Sequence, residues 1–134
     1  RMRESGTVAV LLPCTSFCLM GENWAPARRM LDEGLTVAIA TDYNPGSTAN
    51  LNLQLAMTLA CYRMGLLPDE ILRAVTVNAA RALGLGDRGV IEAGKRADLV
   101  AWEAPDPVTL FYWYGQNLVR EVWIEGQSRV CTEV

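Results

Sequence analysis

The residues best suited to chemistry stand together in one short stretch, Thr41-Asp42-Tyr43-Asn44-Pro45-Gly46-Ser47. It follows the apolar run Val37 to Ala40, and Asp42 is the first ionisable side chain beyond that run. A carboxylate so placed can ligate a metal ion or act as a general base. The Asn44 amide, the Gly46 backbone and the Ser47 hydroxyl add hydrogen-bonding groups for a polar ligand. The same residue types favour tight turns for purely local backbone reasons. Spacing alone leaves both readings open.

Other chemistries are excluded or weakly signalled. The chain has no histidine, so it contains no Ser-His-Asp triad, no Cys-His dyad and no imidazole metal ligand. Cys14 and Cys18 are spaced C-x3-C, but Cys61 and Cys131 form no second pair at metal spacing. Free buried thiols are expected rather than a zinc cluster or a disulfide framework. Gly84-Leu85-Gly86-Asp87-Arg88-Gly89 matches G-x-G-x-x-G. That fingerprint needs a strand before it and a helix after it; here a helix comes before and turns come after, so a helix stop and reverse turn is expected. Arg28, Arg29 and Arg63 read as solvated helix charges.

The elements that must position Asp42 can be read from the apolar pattern. Arg1 to Ser5 reads as a helix end, stopped by Gly6. Thr7 to Leu12 and Leu35 to Ala40 are short, nearly continuous apolar runs rich in β-branched residues. Such runs predict parallel strands buried on both faces. Between them, Cys14 to Asn23 reads as a loop and Trp24 to Glu33 as a helix stopped by Gly34. The two strands with their helical crossover make a βαβ unit, and Asp42 lies at its carboxyl edge, where α/β folds bind ligands. Asn50 is the expected N-cap of a helix reaching Met64, and Pro68-Asp69-Glu70 opens another that breaks near Thr76 and runs to Leu83. After a glycine-rich stretch, Ala97 to Trp102, Val119 to Glu125 and Arg129 to Thr132 read as strands, the last two joined by a Gly126-Gln127 turn. The cluster Phe111 to Tyr114 is placed on a short helical turn, filling core or subunit contacts.

The 134 residues are 51% hydrophobic and 20% charged, which suits a buried core in one domain or in part of a larger one. Twelve basic against fifteen acidic residues give a net charge of −3, which argues against nucleic acid as a partner. No apolar run approaches the ~20 residues of a membrane span. Arg1 to Gly6 lacks a signal-peptide core, so a cytoplasmic location is expected. Two parallel strands make an incomplete sheet, so further strands are expected elsewhere.

Two longer motifs then carry a resemblance. Thr76-Val77-Asn78-Ala79-Ala80-Arg81-Ala82-Leu83-Gly84, followed by Gly89-Val90-Ile91-Glu92-Ala93-Gly94-Lys95-Arg96-Ala97-Asp98-Leu99-Val100, resembles the C-terminal signature of the metal-dependent amidohydrolase superfamily. Ala40 to Ser47, after Leu11-Leu12-Pro13, is similar to the imidazolonepropionase family within it. The similarity runs nearly the whole chain but covers only the last third of a family member.

The resemblance implies an α/β fold: the C-terminal part of a (β/α)8 barrel plus strands of a small composite β-domain. Residues 1–87 would give the last barrel strands and helices, and residues 88–134 the C-terminal share of the small domain. It also implies hydrolysis of the ring amide of 4-imidazolone-5-propanoate to N-formimino-L-glutamate, in histidine degradation. The family uses one zinc or iron ion. Asp42 matches its aspartate metal ligand and catalytic carboxylate, Asn44 and Gly46 match product contacts, and Ser47 matches a substrate contact. The histidine ligands have no counterparts here and would precede Arg1. The chain by itself is therefore expected neither to retain the metal nor to act. Two other readings remain: an assembly module that pairs with itself or with a separate chain supplying the histidines, and an amidohydrolase for another cyclic amide.

Overall fold

The computed structural model describes residues 1–131; the expected strand end at Thr132 lies outside them. A first helical turn, α1 (Met2–Ser5), ends where Gly6 adopts a left-handed φ of 67°. The chain then enters β1 (Val8–Leu11), which pairs in parallel with β2 (Thr36–Ile39) in the register Val8↔Thr36 to Leu11↔Ile39. Both strands fall within the expected runs. Their burial differs from expectation. In β2 Val37, Ala38 and Ile39 are all buried, but Val10 in β1 is 47% exposed. The described elements cover one face of β1 and leave the face carrying Val10 open.

The crossover holds two helices. Pro13 does not merely close β1; it is the first residue of α2 (Pro13–Cys18), where a loop was expected. Its fixed φ and missing N–H suit a helix start, so a proline after a strand announced the next element as well as ending the last. Helix α3 (Ala27–Asp32) starts later than expected because Trp24 and Ala25 precede Pro26, and a residue before proline is disfavoured in the α region.

Helix α4 (Leu53–Met64) is capped by Asn52, whose Oδ1 accepts from Leu55 N at 3.1 Å. The expected cap, Asn50, instead accepts from Asn52 N and donates to Cys14 Sγ. Helix α5 (Pro68–Val75) breaks at Thr76, and α6 (Val77–Ala82) follows. Asn78 of α6 donates to Val37 O at 2.8 Å, which satisfies a β2 carbonyl. The core lies where α4 and α5 meet the parallel strands and includes Leu11, Val37, Ile39, Met57, Ala60 and Ile71.

Glu70 ties α3 to α5. It accepts from Leu67 N at 2.8 Å and from Arg28 Nη1 at 2.7 and 2.9 Å. Arg28, which also pairs with Asp32, is thus a structural tie rather than a solvated charge. Burial raises the Glu70 pKa, but the Leu67 N–H and the Arg28 guanidinium outweigh it and hold the carboxyl below its ordinary value. A depressed folded-state pKa stabilises above the unfolded pKa of about 4.3 and is lost as the pH falls through the folded one. Glu70→Ala should therefore destabilise the chain by about 1–2 kcal/mol at neutral pH, a helix-cap loss plus an ion pair. The difference from wild type should shrink below about pH 4, as read by urea denaturation at both pH values.

Beyond α6, β3 (Leu99–Trp102), β4 (Val119–Ile124) and β5 (Gln127–Cys131) form an antiparallel sheet in that order. Glu125 and Gly126 both have positive φ (55° and 75°), so the hairpin turn is Glu125-Gly126, one residue earlier than expected. Two positive φ values in a two-residue loop match the twist of the flanking strands. Asp98 anchors this unit: Arg88 and Arg96 pair with it, and Arg96 reaches on to Glu125. The Glu125 N–H, then Arg96, hold the Asp98 carboxyl below its usual range.

Helix α7 (Thr109–Tyr112) carries part of the aromatic cluster. Leu110 and Phe111 are buried, while Tyr112, Trp113 and Tyr114 are exposed, so the cluster is only partly core. Thr58 and Gln54 of α4 donate to Phe111 O and Leu110 O, which ties α7 down. Among Cys14, Cys18 and Cys61, all free, Cys14 is buried and Cys18 is exposed, so the expectation of buried thiols holds only for Cys14. Burial raises the pKa of the Cys14 thiol, with smaller opposing and reinforcing effects from Asn50 and Cys18. Gly84 to Gly89 is preceded by α6 and followed by turns, not by the helix a dinucleotide site requires.

Candidate active site

The chain leaves β2 through Asp42, whose φ of 55° lies in the left-handed region. Aspartate tolerates that region better than most residues, but it still stores strain. The strain is held by neighbours on two segments, the loop itself and α2. Asn44 Nδ2 donates to Asp42 O at 2.7 Å and fixes the peptide. On the carboxylate, Thr15 Oγ1 donates to Oδ2 at 2.7 Å. Thr15 lies in α2, which begins two residues beyond β1. The Thr15 hydroxyl also meets the Thr48 hydroxyl at 2.9 Å.

The loop beyond Asp42 closes on itself. Asn44 Oδ1 accepts the Gly46 and Ser47 N–H groups, each at 2.9 Å, and Asn44 N donates to Thr48 O. Asn44 Nδ2 also reaches Ser47 Oγ at 3.0 Å. The turn chemistry read from the sequence is therefore present, built around the Asn44 amide. Asp42, Asn44 and Ser47 stay half-buried and Gly46 is exposed. All four residues picked from the sequence are thus brought into one loop at the carboxyl edge of the parallel strands.

Sequence reasoning missed Thr15 and Thr48. A signal existed. Leu11 and Ile39 are partners in the parallel register, so residues three or four places beyond each must be neighbours. Thr15 and Asp42 stand at those places.

The donor set fits one share of a metal site. Asp42 is a half-buried carboxylate, and among the described residues no cation pairs with it and nothing hydrogen-bonds to its Oδ1. A hard oxygen donor of this kind suits a divalent cation. Among the described residues, no group of three or more His, Cys, Asp and Glu side chains could hold a metal ion. The larger clefts lie elsewhere. One of about 530 Å³ is bordered by Leu51 to Gln54, Trp102 and Gly115 to Asn117, with no ionisable group. Another, of about 440 Å³, contains only Asp98 as an ionisable group, and Asp98 is already bound to two arginines. Neither cleft holds an unpaired carboxylate; Asp42, at the strand edge, does present one.

The chain matches the amidohydrolase family over residues 1–129 and belongs to that family. Within it, the chain is 55% identical to the imidazolonepropionase of Treponema denticola over 130 residues, 94% of this chain and 31% of that protein. It is 48% identical to the imidazolonepropionase of Bacillus velezensis over 134 residues, 99% of this chain and 32% of that protein. The chain thus spans about a third of the length of these curated relatives. Among solved structures, an adenosine deaminase from Xanthomonas campestris with bound zinc superposes with a TM-score of 0.84 at 28% identity, covering 97% of this chain and 33% of that one. A zinc complex of an atrazine chlorohydrolase from Arthrobacter aurescens gives 0.79 at 28% identity, covering 96% and 32%. Among the described residues, no helix is long and apolar enough to cross a membrane.

Proposed function

We propose that this chain is the C-terminal third of an imidazolonepropionase, in which β1 and β2 are the last two barrel strands and β3 to β5 belong to the small β-domain, with the division near residues 87–88. The observation that carries this reading is the free Oδ1 of Asp42 at the carboxyl edge of β2, in a chain 55% identical to a named imidazolonepropionase. The open face at Val10 and the edges of β1 and β2 that no described strand pairs are where preceding barrel strands, or a second chain, would pack. The free thiols suit the reducing cytoplasm.

The proposed reaction is hydrolysis of the ring amide of 4-imidazolone-5-propanoate. A bound zinc or iron ion would polarise the carbonyl and lower the pKa of water from ~15.7 toward ~7. Asp42 would hold the ion as this chain's ligand, since a catalytic zinc takes about three protein ligands in all. Its carboxylate would accept a proton as the water oxygen bonds to the ring carbonyl carbon. The ring C–N bond breaks, and the proton passes to the departing nitrogen, giving N-formimino-L-glutamate. Ser47 Oγ, together with Gly46 on the exposed side of the loop and Asn44, would contact the substrate. The loop hydrogen bonds hold these groups in place before the substrate arrives, which lowers the ordering cost of binding.

The test replaces the 130 aligned residues of the Treponema denticola relative with this chain and assays the fused enzyme. Hydrolysis of 4-imidazolone-5-propanoate, absent from the relative's remaining portion alone, is expected. A folded, metal-loaded fusion that opens a different cyclic amide or deaminates a ring instead would overturn the substrate assignment.

A further inference from the structure

Thr48 poses a proton-accounting problem whose solution assigns a role. Its side chain is fully buried, at 0% exposure, so its hydroxyl needs a partner inside the protein. That partner is Thr15 Oγ1, 2.9 Å away. Thr15 has one hydroxyl proton, and the 2.7 Å contact with Asp42 Oδ2 uses it, because a carboxylate oxygen accepts. Thr48 must therefore donate to Thr15. The result is a one-way chain, Thr48 to Thr15 to Asp42 Oδ2, in which each hydroxyl has its direction set by the next.

The chain joins α2 to both ends of the 42–48 loop, which reach each other only in the folded protein. Without it, rotation about the Asp42 side-chain bonds would exchange its two oxygens. With it, Oδ2 is held and Oδ1 stays free. The backbone of Thr48 is itself fixed, since its carbonyl accepts from Asn44 N at 2.9 Å.

We propose that Thr15, oriented by Thr48, is a positioning residue that dedicates Asp42 Oδ2 to the protein and leaves Oδ1 for the metal ion. The inference rests on the reading of Asp42 as a ligand. It does not depend on which ring the enzyme opens, so the two can fail separately.

The rival is purely structural: Thr15 could serve only to satisfy the buried Thr48 hydroxyl. The fused enzyme separates them. Thr15→Val leaves Thr48 without a partner and Asp42 Oδ2 without a donor. It should lower zinc affinity, read by chelator competition, by about 10- to 100-fold, the usual effect of removing a hydrogen-bond partner of a metal ligand. It should lower kcat similarly with little change in KM. Thr15→Ser keeps the hydroxyl and should restore both. The decisive variant is Thr15→Val/Thr48→Val. Removing both partners of a buried hydrogen bond can be nearly neutral for stability, so the melting temperature should recover while zinc affinity and kcat stay low. Recovery of zinc affinity in the double variant, or wild-type affinity in Thr15→Val, would overturn the proposal. A fusion that binds zinc but leaves 4-imidazolone-5-propanoate intact would overturn the substrate assignment and still read Thr15 through zinc affinity.

Discussion

Asp42→Ala in the fused enzyme is expected to lower kcat/KM by about 10²- to 10⁴-fold, the range for removing a positioned acid–base group, and to reduce the metal content of the purified protein. The carboxylate is assigned both tasks, so both readouts should move together. Backbone strain is the competing explanation, because Asp42 has a φ of 55° and alanine is less comfortable there. Asp42→Gly removes that objection, since glycine accepts positive φ freely. If the glycine variant is as inactive as the alanine variant while keeping the wild-type circular dichroism, the loss belongs to the carboxylate. Activity within about tenfold of wild type in Asp42→Gly would exclude Asp42 from the general-base role.

Gly89→Ala is the substitution expected to destabilise the chain most. Gly89 has a φ of 87°, and a Cβ there would stand 2.9 Å from Val77 Cα, 3.0 Å from Thr76 O and 3.1 Å from Ala80 Cβ. Two of those atoms are backbone at the α5–α6 junction and cannot move aside as a side chain could. The turn must lift off α6 instead, pulling at Arg88 and its pairs with Asp87 and Asp98. Strain and overpacking together should cost about 3–5 kcal/mol, a large part of the ~5–15 kcal/mol that holds a domain folded. Gly94→Ala is the control. Its φ of 86° is nearly the same, but a Cβ there meets nothing within 4 Å, so only the conformational cost of about 1 kcal/mol applies. Urea denaturation of the two variants should separate them by about 2–4 kcal/mol. Equal losses would show that the φ value, and not the contact with α6, is what requires glycine at residue 89.

The legible part of this protein was carried by local patterns. The two β-branched apolar runs marked β1 and β2, since such runs form strands whatever packs against them. Gly6 and Gly34 marked helix ends, and Thr76 the break between α5 and α6. Asp42 was visible as the first ionisable residue after an apolar run, though spacing alone also allowed an ordinary turn. The errors were also local. Pro13 both ends a strand and starts a helix, and only the first role was read from the sequence. Asn50 and Asn52 are equally good caps by type; the Asn50 oxygen accepts from Asn52 N, and Asn52 is left to cap the helix.

The sequence by itself determined most of the elements, α2 excepted, and that a carboxylate and a turn built on Asn44 follow β2. These depend on residues a few positions apart. It also carried the family, through long ordered motifs. The tertiary structure decided which oxygen of Asp42 is free and what holds the other, because Thr15 and Thr48 reach it only once β1 and β2 pair in register. It likewise decided that Gly89 has no room for a side chain and that Arg28 is a tie between helices. A hydrogen bond across 27 residues leaves no local pattern, because its two ends are brought together by the packing of everything between them.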